Sequence, residues 1–202
     1  QMIFIPGGFS AGDEPDGSGK FITAFFRNAE VKNAVSDLLD VRGGLMCGIC
    51  NGFQALIKLG LVPFGKILDT DEHFPTLTYN KIGRHQSQLV RTRVCSVKSP
   101  FLSEANVGDI YTVPISHGEG RFVAEEGLIR SLFENGQVLT QYVDDDGQPS
   151  GDIRYNPNGS DFAIEGITSP DGRVLGKMGH SERIGKGLYK NVPGNYDMGL
   201  FR

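Results

Sequence analysis

One cysteine stands on a tight turn between two contrasting stretches of chain. The apolar run Gly44-Leu45-Met46-Cys47 leads into Gly48-Ile49-Cys50-Asn51-Gly52, and Phe53-Gln54-Ala55-Leu56-Ile57-Lys58-Leu59 follows with a helical texture. The run reads as a buried strand and the last stretch as a helix beginning at Asn51. Glycines two residues before and two after Cys50 remove the Cβ atoms that would clash in such a turn. The helix start directs free N–H groups and the positive end of its dipole toward the sulfur, which favours thiolate. Strand, Gly-x-Cys-x-Gly and helix together have the logic of a nucleophile elbow.

The N-terminal half repeats this order. Met2-Ile3-Phe4-Ile5 is an apolar run ending in Pro6-Gly7-Gly8, residues 11–20 are polar and glycine-rich, and residues 21–40 place Ile22, Phe25, Phe26, Ala29, Val31, Val35, Leu38 and Leu39 at helical spacing. Strand, helix, strand, helix implies an α/β domain with a largely parallel sheet whose sites gather at the carboxyl ends of strands. Beyond Pro63, residues 89–97, 110–115 and 138–143 look like strands and 128–133 like a short helix. Residues 162–167 and 174–178 form a pair joined at Ser169-Pro170-Asp171-Gly172, the mark of a hairpin. The tail after Arg183 is rich in Gly and Asn and reads as an irregular extension, which divides the chain into 1–183 and 184–202.

With 39% apolar and 22% charged residues among 202, the chain suits one globular domain. A net charge of -4 without a Lys/Arg cluster argues against a sequence-independent hold on nucleic acid or an anionic membrane. No apolar run approaches membrane-spanning length. Three cysteines is an odd number, so a disulfide framework is not expected and a reducing cytoplasm is. Gln1-Met2-Ile3-Phe4-Ile5 reads as a core strand already under way, so the chain is expected to be cut from a longer polypeptide.

Gly179-His180-Ser181-Glu182 supplies what a nucleophilic thiol needs. If extended, His180 and Glu182 face the same way, so the carboxylate can hold one imidazole tautomer while the other nitrogen takes the thiol proton. His117, in His117-Gly118-Glu119-Gly120-Arg121, has its own carboxylate neighbour and is a rival base that spacing does not exclude. Cys47 would complete a Cys-x-x-Cys, but it lies inside the apolar strand and reads as core, as does Cys95. His73 and His85 read as surface residues, and Asp144-Asp145-Asp146 as a solvated turn. In Pro6-Gly7-Gly8-Phe9-Ser10 unhindered backbone N–H groups can meet the charge of a tetrahedral intermediate, with the Asn51 N–H as second donor. Residues 12–20 only superficially suggest a phosphate loop: Glu14 stands where glycine is needed, Phe21 where a hydroxyl is needed, and three carboxylates would repel phosphate. No cluster has metal-ligand spacing.

Gly48 to Gln54, with Pro6-Gly7-Gly8-Phe9-Ser10 upstream and Gly179-His180-Ser181-Glu182-Arg183 downstream, resembles the class I, triad-type glutamine amidotransferase domains. His117-Gly118-Glu119-Gly120-Arg121, Asn156-Pro157-Asn158-Gly159-Ser160 and Lys190-Asn191-Val192-Pro193-Gly194 are similar to the glutaminase domains of phosphoribosylformylglycinamidine synthases, ATP-dependent amidotransferases of purine synthesis. The likeness covers nearly the whole chain, and the extension after Arg183 resembles the form fused to the synthetase. It implies a three-layer α/β fold with a mostly parallel central sheet and flanking helices, here lacking a first strand and helix. It further implies that Cys50, His180 and Glu182 hydrolyse L-glutamine through a thioester, with Gly8 and Asn51 as oxyanion donors. Gln54, Asn156 and Asn158 would bind the glutamine, and His117, Glu119 and Arg121 would form a glycine-flexed loop facing the synthetase. No cofactor is implied in this chain; ATP and Mg²⁺ belong to the synthetase domain, in the same polypeptide or a separate subunit. The same residues also suit a glutaminase of another amidotransferase, a hydrolase or cysteine peptidase using this thiol, or a non-catalytic partner of the same fold.

Overall fold

The computed structural model describes residues 1–8 and 18–202. Phe9 and Ser10, and most of the segment compared with a phosphate loop, lie outside them. β1 (Met2–Ile5) leads toward α1 (Lys20–Phe26) and α2 (Ala29–Ser36), whose N-terminus is capped by the Asn28 side chain accepting from the Glu30 and Val31 N–H groups. β2 (Leu45–Ile49) then runs into α3 (Asn51–Leu59), which buries every residue except Lys58, and the short turn α4 (Leu61–Phe64). β3 (Thr76–Tyr79), β4 (Gln86–Val94), β5 (Ile110–His117), β6 (Glu119–Val123), α5 (Glu126–Glu134), β7 (Val138–Tyr142), β8 (Ile164–Thr168) and β9 (Val174–Lys177) complete the chain up to a tail of turns.

Seven strands form one sheet in the order β1-β2-β9-β8-β7-β4-β5. The α/β class and the flanking helices are as expected, but the sheet is mixed. β1, β2 and β9 are parallel neighbours, whereas β9–β8, β8–β7, β7–β4 and β4–β5 pair antiparallel. The expectation of a mostly parallel sheet therefore holds only for the β1-β2-β9 part. The reason is local: a turn as short as Ser169-Pro170-Asp171-Gly172 can join only antiparallel neighbours, while parallel ones need a long crossover such as β1–α1–α2–β2.

A second correction concerns residues 117–121. They are not a glycine-flexed loop. β5 leaves the main sheet at Gly118 and continues as β6, which pairs antiparallel with β3 in a separate two-stranded sheet. The backbone groups of Glu119–Val123 thereby find partners in β3 on one side and in the side chains of Gln54 and Ser160 on the other. His117 and Glu119 are buried, at 4% and 9% exposure; Arg121, opposite Thr78, is half-buried.

Candidate active site

Three adjacent parallel strands end together at one edge of the sheet. Ile5 pairs with Gly48 and Ile49 with Lys177, so the residues just past these ends, Gly7-Gly8, Cys50 and His180, converge. Cys50 precedes α3 with φ 53° and ψ −106°, a positive-φ conformation outside the usual regions that costs a residue bearing a Cβ on the order of 1–3 kcal/mol. Its N–H donates to the Lys177 carbonyl at 2.9 Å, which ties the turn to β9. The two bracketing glycines are required by close approach. A Cβ on Gly48 would lie 2.6 Å from the Gly52 carbonyl carbon, and one on Gly52 would overlap the Ile5 carbonyl oxygen.

His180 is 1% exposed, and its Nδ1 lies 2.6 Å from Glu182 Oε1. With Nδ1–H donating to the carboxylate, Nε2 carries the free lone pair; this atom is buried and makes no hydrogen bond among the described residues. Gly7 stands between imidazole and thiol: a Cβ there would come to 2.5 Å from His180 Cε1 and 3.1 Å from Cys50 Cβ. Burial alone would raise the Glu182 carboxyl, but the hydrogen bond and charge of His180 hold it below the ordinary value.

Burial opposes ionisation of the thiol. Burial pushes Cys50 up to about 11, outweighing the backbone N–H groups of Asn51 and Gly8 and the Arg183 charge, all of which pull it down. The expected benefit of the helix start is present, but desolvation is larger. Those two N–H groups, the ones named from sequence, both lie against the sulfur. The thiol itself reaches toward the Ser116 carbonyl at 4.0 Å. Cys47, fully buried in β2, is pushed by burial to about 12, and half-buried Cys95 donates to Gln141 Oε1 at 3.1 Å; both pack as expected.

Asn156 and Asn158 are fully buried, with their side-chain amides engaged by protein groups. Asn156 closes its own turn, donating to the Ser160 carbonyl at 2.9 Å and accepting from the Ser160 N–H at 3.0 Å. Asn158 donates to the Tyr142 hydroxyl at 2.8 Å and holds His117 Nε2 at 2.8 Å. Gln54 is likewise turned inward, donating to the Glu119 carbonyl and so pinning α3 to β6. The rival base lacks an orienting carboxylate. Glu119 accepts from the Ser18 N–H at 3.0 Å, while burial holds His117 down to about 4 against the raising effect of Asn158. His73 and His85 are exposed, and Asp144-Asp145-Asp146 forms a turn in which Asp144 Oδ1 accepts from the Asp146 and Gln148 N–H groups.

Two features of the site escaped the sequence. Gly7 was legible as part of a glycine loop but not as the residue separating thiol from imidazole. The other is a buried pair, Lys177 and Glu165, whose only signal was a single charge within each of two apolar strands.

The mixed seven-stranded sheet with flanking helices, carrying an elbow cysteine at its parallel edge, is the fold of the class I glutamine amidotransferases. The chain belongs to the family described as CobB/CobQ-like glutamine amidotransferase domain, which matches residues 1–201. It is 38% identical over 186 residues to the phosphoribosylformylglycinamidine synthase subunit PurQ of Methanococcus maripaludis, covering 91% of this chain and 65% of that protein. To the subunit PurQ of Synechococcus elongatus it is 35% identical over 203 residues, covering 100% of this chain and 77% of the relative. The solved structure of PurLQS from Thermotoga maritima matches with a TM-score of 0.71 at 28% identity, over 99% of this chain and 76% of that one.

Proposed function

We propose that this chain is the glutaminase part of a phosphoribosylformylglycinamidine synthase, hydrolysing L-glutamine to glutamate and ammonia through a cysteinyl thioester and passing the ammonia to a synthetase. The observation that carries the reading is the convergence, at three adjacent strand ends, of Cys50, the N–H groups of Gly8 and Asn51, and a His180 held by Glu182. The names of the curated relatives, subunits of that synthase, support it.

Cys50 Sγ attacks the side-chain amide carbon of glutamine while His180 Nε2 takes the thiol proton. A protonated resting thiol suits this order, since charge is created only as the bond forms. The amide oxygen becomes an oxyanion between the Gly8 and Asn51 N–H groups, where loss of one donor would raise the barrier by about 3 kcal/mol. His180 returns the proton to the departing nitrogen, ammonia leaves, and the thioester remains on Cys50. Water, deprotonated by His180, then releases glutamate, and Glu182 steadies the imidazolium in both halves. By family likeness Gln54, Asn156 and Asn158 belong to the glutamine-binding region; their side-chain amides hydrogen-bond to the Glu119 carbonyl, to Ser160 and to Tyr142. Residues 1–183 make up this unit, with 184–202 as an extension. ATP and Mg²⁺ act in the synthetase, which activates the amide oxygen of formylglycinamide ribonucleotide. The assignment is to the cytoplasm; among the described residues no helix is long and apolar enough to cross a membrane.

A glutamine-analogue electrophile is expected to add once per chain, at Cys50, and Cys50→Ala to abolish the adduct, as read by peptide mass spectrometry. Labelling chiefly at Cys47 or Cys95 would overturn the assignment, and an inert Cys50 would favour a non-catalytic partner.

A further inference from the structure

Lys177 ends β9 with its side chain 2% exposed, and Glu165 on β8 is 0% exposed, yet the two are ionisable groups 3.2 Å apart. Every polar atom of the pair is engaged. Lys177 Nζ also donates to the Gly179 carbonyl at 3.1 Å and to Ser181 Oγ at 2.9 Å. Glu165 Oε1 accepts from the Gly179 N–H at 2.6 Å, and Oε2 from Thr140 Oγ1 at 2.5 Å. Gly179 is thus held at both of its backbone polar atoms, one by each partner, and Ser181 by its side chain. These residues stand on either side of His180, whose own N–H donates to the Pro114 carbonyl at 2.9 Å. A Cβ on Gly179 would lie 2.8 Å from Glu165 Oε1, so the glycine and the pair fit only together.

An ion pair in such a place is a poor source of stability, because taking two charges out of water costs about as much as their attraction returns, and apolar residues of the same volume serve as well. What it does that apolar packing cannot is fix donors and acceptors in direction. Here three of the fixed directions end on the turn that carries the imidazole, and the fourth anchors the pair to Thr140 on β7. The hydrogen bond to Glu182 selects the tautomer and ring rotation of His180, but it does not set where the residue's backbone stands relative to Cys50. We propose that the buried Lys177–Glu165 pair is the positioning device for His180, holding residues 179–181 so that the imidazole keeps its place across Gly7 from Cys50. The proposal rests on the reading of His180 as the catalytic base; Lys177 and Glu165 act through it and touch no substrate.

In the intact amidotransferase, with its synthetase, Lys177→Met and Glu165→Gln should each lower kcat for glutamine hydrolysis on the order of tenfold to a hundredfold, the effect of displacing a catalytic group by about 1 Å, with KM little changed. Ammonia-driven synthesis should stay at the wild-type rate. The double variant should lose no more than the worse single variant, because the pair acts as one unit. A fall in melting temperature with kcat per alkylatable Cys50 unchanged would overturn the proposal, as would losses confined to KM. Should the charge-removing variants fail to fold, Thr140→Val and Ser181→Ala each delete one hydrogen bond of the same network; a severalfold lower kcat at unchanged KM supports the proposal, and wild-type kcat in both overturns it. His180→Gln, run alongside, separates the two claims. If it still hydrolyses glutamine, the base has been misassigned and the positioning role falls with it. If it is inactive while the network variants run at the wild-type rate, only the positioning role falls.

Discussion

At the scale of single residues, the chemistry turns on how much of the environment of Cys50 is apolar. The N–H groups of Asn51 and Gly8 and the charge of Arg183 pull the thiol toward ionisation, and burial pushes it further the other way, to about 11. A small neutral alkylating reagent should therefore react with free Cys50 at a rate that climbs with pH through about 9 without levelling, since only the thiolate reacts. A plateau at neutral pH in rate-against-pH measurements would contradict this. Gly7 is the other sensitive position. The Cβ of Gly7→Ala must displace the imidazole from the thiol, since it would stand 2.5 Å from His180 Cε1. Glutamine hydrolysis should fall by roughly a hundredfold or more, the cost of a small misplacement of a catalytic group, while the urea unfolding midpoint moves little.

At the scale of elements, α3 is pressed so closely against β1 and β2 that its first turn has no room for a side chain at Gly52. Gly52→Ala should lift the helix from the Ile5 carbonyl and cost about 1–3 kcal/mol, the usual penalty of overpacking, measurable by urea denaturation. An unchanged midpoint would mean that the strand–helix contact is looser than these distances. β5 and β6 teach a different lesson. Glycines and charges from His117 to Arg121 have the composition of a loop, yet β3 supplies a partner strand and the segment becomes extended. β-Propensity is decided by the neighbour more than by the residue, and Thr76–Tyr79 is too short and too polar at its ends to announce itself.

At the scale of the molecule, the β4–β5–β7 side of the sheet delivers buried polar groups to the same edge as the catalytic strands, and one of them links folding to pH. His117 titrates near 4 in the fold against an ordinary 6.5, chiefly because it is buried. Its pKa is depressed, so as the pH falls the unfolded chain takes the proton first. The stability it contributes is whole above 6.5 and is lost as the pH falls through 4, in total on the order of 3 kcal/mol. Urea unfolding of the wild type should weaken over that window more than unfolding of His117→Gln, since acid titration of carboxylates is common to both. Parallel losses in the two proteins would show that His117 is not buried as a neutral ring.

The elbow, its glycines, the helix start at Asn51, the His180–Glu182 pair and the hairpin at Ser169-Pro170-Asp171-Gly172 were all legible in the sequence, because each depends on neighbours in the chain: turn sterics, helix termini and side-chain alternation act over a few residues. What the sequence could not give depends on residues far apart in it. The antiparallel part of the sheet, the strand made from an apparent loop, and the inward-turned amides of Gln54 and Asn158 were fixed by partners 16 to 65 positions away or by a sheet neighbour. The protonation of Cys50 belongs to the same group. A helix N-terminus can be read from sequence, but the desolvation that outweighs it comes from the packed volume around the thiol, and only the tertiary structure creates that volume.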